Sequence, residues 1–185
     1  MDTQHTRNRS STRQQRGITL LEACIVIAVT AVVAAIAAPS LGSFVETRRL
    51  NGAAVSLAAD VELARGEAVA RNRALRLSFH ADADSSCWVI HTGAAAQCAC
   101  ASAGPAVCSG GASEIKTVVL PAAERISVAA NVASIVFDPL HGTSTPTGTL
   151  RLVDGRGRAI HHVVNILGRV RSCTPSGAVA GYLAC

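Results

Sequence analysis

The sequence predicts an α+β fold: a long amino-terminal helix whose second half packs on an antiparallel β-sheet or small β-sandwich. Three observations predict it. Residues 18–38, ITLLEACIVIAVTAVVAAIAA, carry one charge, Glu22. From Pro39 to about Arg76, apolar residues recur mostly at steps of three and four, the period of a helix. Beyond Arg76 the period changes to two, in short runs separated by Gly, Pro, Asp and Ser.

The first element is the apolar one. Its 21 residues would form a helix about 31 Å long, close to the roughly 30 Å hydrocarbon thickness of a bilayer. The preceding residues, 1–17, hold Arg7, Arg9, Arg13 and Arg16 against Asp2. A basic flank of this kind stays on the cytoplasmic side, which sends the carboxyl side across the membrane. A cleaved secretory signal has an apolar core of about 7–15 residues, and this one is too long. An ordinary signal anchor fits the length but leaves Glu22 as an unexplained charge in lipid.

In the second half of the helix, residues 39–76, the apolar series is Leu41, Phe44, Val45, Val55, Ala58, Val61, Ala64, Ala68 and Val69. Glu46, Arg48, Arg49, Asp60, Glu62, Arg65, Glu67 and Arg71 occupy the other faces and read as a solvated surface. A β-rich domain is expected over 77–185, its first strand entering from the helix end. Strands are expected at 75–79, 87–90, 115–120, 126–128, 134–137, 149–153 and 161–166. Asp154-Gly155-Arg156-Gly157 reads as a hairpin turn, and residues 93–113 as a Gly/Ala/Cys-rich loop.

Composition bounds the function. The chain has 185 residues, 49% apolar and 16% charged, with a formal charge of +5 and a mean hydropathy of +0.34. Intrinsic disorder is excluded, since it requires low hydrophobicity and high net charge. No nucleophile elbow, phosphate-binding loop or paired-histidine metal motif occurs, so no enzyme activity and no cofactor is expected. The charge is unevenly spread: residues 1–17 contribute +3, 18–76 +1, 77–124 −3 and 125–185 +4. Every basic residue of the last segment is arginine, whose planar fork suits phosphate. Arg169 and Arg171 share one face if extended, while Arg156 and Arg158 sit in or beside a turn.

Seven cysteines complete the inventory. Cys24 lies in the apolar segment. Cys87, Cys98, Cys100, Cys108, Cys173 and Cys185 fall on the exported side, where thiols oxidise, and allow 15 connectivities. Their C-x-C spacing is not that of a zinc knuckle, so no metal is expected. For the central four the expected pairs are Cys87–Cys98 and Cys100–Cys108.

Gly17-Ile18-Thr19-Leu20-Leu21-Glu22 resembles the class III signal of type IV pilins and pseudopilins. The helix LAADVELARGEAVARNRALRLSF, Phe137-Asp138-Pro139-Leu140-His141-Gly142, Thr149-Leu150-Arg151-Leu152 and Gly168-Arg169-Val170-Arg171 resemble the GspH/FimT branch. The resemblance implies a leader, residues 1–17, that prepilin peptidase removes between Gly17 and Ile18, with N-methylation of Ile18. It implies a single-pass inner-membrane anchor over 18–38, a helix kink at Pro39 and a periplasmic domain. Partners would be other major and minor pilins or pseudopilins, with Glu22 neutralising a neighbour's terminal ammonium during assembly. The resemblance also implies a Cys173–Cys185 staple. Two machines remain open: the pseudopilus of type II secretion, or a type IV pilus whose minor pilin binds DNA. In the second, Arg169 and Arg171 would be the principal phosphate contacts and Arg156 and Arg158 accessory ones.

Overall fold

Helix α1 (Leu20–Ala70) opens on a local cap, in which the Glu22 amide donates to Thr19 Oγ1 at 3.2 Å. It closes where Asn72 takes a left-handed conformation (φ 48°) and the Arg73 amide bonds back to the Ala68 carbonyl at 3.0 Å. The helix therefore stops six residues before Arg76, because Asn72 supplies the terminating turn. The computed structural model describes residues 18–101, 104–175, 177 and 179–185, and the side chains of all of these except 37–40. Gly17 and the side chain of Pro39, with the cleavage and kink expected there, lie outside the described residues.

The chain divides into two units at Leu41/Gly42. In the first, the described apolar side chains are open to their surroundings, Ile18 at 77%, Ile25 at 56% and Ile36 at 74%. Taken as two parts, Leu20–Ile36 and Leu41–Ala70, the helix has no part that is alone long and apolar enough to cross a membrane. Together the two parts meet that length and composition.

The second unit, Gly42–Cys185, contains the sheets. Strands β1 (Leu75–Ala81), β2 (Ser85–His91), β5 (Glu114–Pro121), β7 (Ser134–Phe137) and β8 (Ser144–Thr145) form one antiparallel sheet in the order β5-β2-β1-β7-β8. Strands β6 (Ile126–Ala130), β9 (Gly148–Asp154), β10 (Ala159–Val164) and β11 (Val170–Cys173) form a second, in the order β11-β10-β9-β6. The expected loop 93–113 holds a further short ladder, β3 (Cys98–Ala99) against β4 (Val107–Cys108).

Alternation along the strands buries one face of each sheet against α1. Leu75, Leu77, Trp88, Ile90, Ile135 and Phe137 come from the first sheet, and Leu150, Leu152, Ile160 and Val164 from the second. The helix contributes Leu50, Ala54, Leu57, Val61, Ala64 and Ala68, spaced alternately by four and three. This corrects the expected stripe. Val61, Ala64 and Ala68 are buried as expected, but Leu41, Phe44, Val45, Val55 and Val69 are exposed. Asp60, expected on the solvated face, is 1% exposed. It accepts a hydrogen bond from Trp88 Nε1 at 2.8 Å and pairs with Lys116 Nζ at 2.5 Å.

The disulfides also depart from expectation. Cys87 pairs with Cys100 and Cys98 with Cys108, not Cys87 with Cys98 and Cys100 with Cys108. The reason is the β3–β4 ladder, which sets Cys98 opposite Cys108 with their Cα atoms 4.1 Å apart. Cys173 and Cys185 are joined, closing a carboxyl-terminal segment whose Tyr182 hydroxyl donates to Asn51 Oδ1 of the helix at 2.7 Å. Peptide mapping of the unreduced protein should recover these three linkages; a peptide joining Cys87 to Cys98 would contradict the ladder.

His162, 1% exposed, is wedged between helix and second sheet. Its Nε2 lies 2.9 Å from the Ala54 carbonyl and its Nδ1 2.8 Å from Ser172 Oγ. Burial holds its pKa below the usual 6.5, more than the Ala54 carbonyl raises it. His91 is lowered in the same way, by burial first. Both then bind protons less readily folded than unfolded. Their contribution is complete above about pH 6.5 and is lost as the pH falls below it. The unfolding midpoint should therefore drop between about pH 7 and pH 5, and a His162→Gln protein should show a shallower drop.

Candidate functional site

The outer face of the second sheet carries two of the four arginines singled out in the sequence, Arg169 and Arg171. Strand β10 meets β11 through Asn165–Arg169, not through a strand reaching residue 166. Asn165 Oδ1 ends the strand by accepting the amides of Leu167 and Arg169, each at 3.0 Å. Gly168 follows with φ +70°, and a β-carbon there would lie 2.8 Å from Arg65 Cδ and 3.1 Å from the Gly142 carbonyl. Only glycine fits, because the turn packs under Arg65, whose Nε donates to that same carbonyl at 3.0 Å.

Past Gly168 the alternation sorts the side chains. Val170 packs on the core and Ser172 bonds His162, so Arg169 and Arg171 face outward, and both are exposed. Arg171 stands opposite Val163, which stands opposite Thr149. One row along, Cys173, His161 and Arg151 align, with Arg151 exposed because its neighbours Leu150 and Leu152 are buried. Arg151 was not singled out from the sequence; its place in the alternating run 149–152 was the available signal. Partial burial, then the Arg151 charge, lowers the pKa of His161. None of Arg151, Arg169 and Arg171 has an ion-pair partner among the described residues.

Arg156 and Arg158 are not part of this group. They sit in the β9–β10 turn, at the opposite end of β10 from Arg169. Asp154 organises the turn, its Oδ1 accepting both arginine amides at 2.9 Å and its Oδ2 pairing with Arg158 Nε at 2.7 Å. Burial raises the Asp154 pKa, but the hydrogen bonds from Arg158 and the Arg156 amide together hold it below the usual 3.8. From the helix, Thr47 Oγ1 accepts Arg158 Nη1 at 2.5 Å. Glu46 Oε2 pairs with Arg156 Nε at 2.5 Å and Arg158 Nη2 at 3.7 Å, and Glu46 Oε1 with Arg125 Nη1 at 3.5 Å. These two arginines thus lie apart from Arg169 and Arg171, and their charges tie the turn to the helix.

At the amino terminus, Ile18 precedes the helix and Glu22 lies in its first turn, both exposed. A family model described as the prokaryotic N-terminal methylation motif matches residues 12–38. A second, described as type II transport protein GspH, matches residues 53–168, more than half of the chain. The chain belongs to the GspH family. It is a type IV pilin-like minor pilin or pseudopilin, and the family is one of structural filament proteins. Among solved structures, the chain is similar to the type IV minor pilin FimU of Pseudomonas aeruginosa strain PAO1. Identity is 22% over 69% of this chain and 90% of that one, with a TM-score of 0.48. No curated protein matches it. In this GspH-family chain both matched regions include part of α1: the methylation motif covers its apolar start, and the GspH match begins further along it at Ala53.

Proposed function

We propose that this chain is a minor subunit of the type II secretion pseudopilus. Prepilin peptidase cuts it after Gly17, Ile18 is methylated, and residues 18–38 anchor it in the inner membrane with Gly42–Cys185 in the periplasm. The observation that carries this reading is Glu22, a lone carboxylate in the first turn of an apolar helix that lies inside the matched methylation motif. A charge there is costly in lipid and becomes favourable when a neighbouring subunit's terminal ammonium neutralises it. Assembly from the membrane into the filament core supplies that neighbour. The type II transport description of the family supports secretion as the machine served.

A second reading is favoured by one observation. Arg151, Arg169 and Arg171 stand exposed on one sheet face and without ion-pair partners among the described residues. Such a face suits a phosphate backbone, and a type IV pilus minor pilin would use it to bind DNA. A deletion strain scored in parallel for secretion, piliation and DNA uptake separates the two. Retained exoproteins with normal DNA uptake support the pseudopilus; the converse supports the pilus. In that strain, complementation with Glu22→Ala should give processed protein that fails to enter filaments. Normal entry of that variant would contradict the assembly role.

A further inference from the structure

The helix turns just past Gly42 present apolar and cationic groups together. Phe44 and Val45 are 55% and 46% exposed, and Arg48 stands over the Phe44 ring, 5.0 Å from its centroid. Arg49 is exposed beside it. Across from these turns, Arg125 and Arg156 both reach Glu46, yet 69% and 49% of their side chains remain in solvent. Glu46 is shared by three guanidinium groups, those of Arg125, Arg156 and Arg158. One carboxylate cannot neutralise three cations. Counting Asp154 and the exposed Glu124 as well, five arginines face three acids in this collar. All five cations are arginine, whose planar donors match a phosphodiester in two-point geometry.

An aromatic ring and a valine beside arginines form the composition of a surface that settles at the headgroup level of a bilayer. We infer that this collar, Phe44, Val45, Arg48 and Arg49 with Arg125 and Arg156, docks on anionic phospholipid headgroups while the subunit resides in the membrane. The inference rests on the reading of 18–38 as the anchor, which ends six residues before Phe44 in the sequence. It concerns the opposite end of β10 from Arg169 and so a different surface from the candidate DNA face. The Glu46 network then has two tasks. It fixes the β9–β10 turn to the helix, and it holds Arg125 and Arg156 with donors to spare for a lipid phosphate.

The test uses the full chain in vesicles of phosphatidylcholine, with or without phosphatidylglycerol. Resistance to alkaline carbonate reports the anchor. Phe44→Trp emission, quenched by lipids brominated on their acyl chains, reports the collar, with the unmodified chain giving the background from the buried Trp88. Quenching should be stronger with phosphatidylglycerol and should weaken as salt is raised. Arg48→Gln and Arg49→Gln, at exposed positions without ion pairs among the described residues, should each reduce the docked fraction relative to the undocked by about fivefold, with the Trp88 emission of the same variants that keep Phe44 unchanged as evidence of folding. A chain stripped by carbonate refutes the anchor and the collar together. A chain that resists stripping but is quenched equally in both vesicles refutes the collar alone. Equal quenching combined with crosslinking between copies at the collar would assign that surface to a neighbouring subunit instead.

Discussion

Replacing Asp60 by alanine is expected to destabilise the domain by about 2–4 kcal/mol, among the largest effects of any single change in it. The carboxylate is 1% exposed and lies where the helix crosses the first sheet. One oxygen accepts the indole N–H of Trp88, which is itself fully buried, and the other pairs with Lys116. Truncation leaves the indole donor unpaired in an apolar surround, where an unsatisfied group costs its full desolvation. Lys116 keeps 41% of its side chain in solvent and regains water, so little of the loss is assigned to it. Asp60→Asn retains an acceptor for the indole and should cost less. Lys116→Met should cost nearly as much as Asp60→Ala despite its surface position, because it strands a buried charge. The two effects should not add: Asp60→Ala with Lys116→Met removes both charges and should cost less than the sum of the two single changes. Urea unfolding of the four proteins measures the set, and strict additivity would show that the pair does not act as a unit.

The same residue marks the limit of what the sequence discloses. A period of 3.6 identifies the helix, yet α1 carries two apolar series, and composition alone does not say which one meets the sheets. Leu50, Ala54 and Leu57 do, whereas Phe44, Val45 and Val55 remain outside. Small residues at positions 54, 64 and 68 let the sheets approach closely, a packing property that depends on the partner surface. Asp60 reads as solvated because its acceptor role is created by Trp88, 28 residues away, and Lys116, 56 residues away. The strands were legible because alternation is local, and Asn165 shortens β10 by a hydrogen-bonding choice that alternation does not contain. The central cysteines failed for a related reason. Spacing does not choose between Cys87 and Cys108 as the partner of Cys98, whereas strand register places Cys98 against Cys108. For the candidate site, Arg169 and Arg171 were legible from their spacing. Arg156 and Arg158 look equivalent in sequence, and only Glu46 and Asp154 distinguish them.

That distinction gives the DNA-binding reading a sharp expected result. Arg169→Ala together with Arg171→Ala should weaken duplex DNA binding by about tenfold or more per arginine, since each removes a charge-assisted phosphate contact. The slope of log affinity against log salt should become shallower by about 2, one counterion for each lost contact. The loss should be uniform across sequences, because no base-edge contact is involved. Arg151→Ala should give a smaller loss of the same kind, as it lies one row further along the same face. Arg156→Ala should leave DNA affinity and its salt slope unchanged, because Arg156 lies at the opposite end of β10 from Arg169 and Arg171. The folded state of each variant can be checked through the emission of Trp88, which lies in the other sheet. Gly168 is kept in every variant, because a β-carbon there would press on Arg65 and disturb the turn that presents Arg169. A double variant that keeps both its affinity and its salt slope would remove DNA from the account of this surface. The outward arginines would then be charges that keep the exposed edge strand β11 from pairing with other strands, and the choice between pseudopilus and pilus would rest on the deletion strain alone.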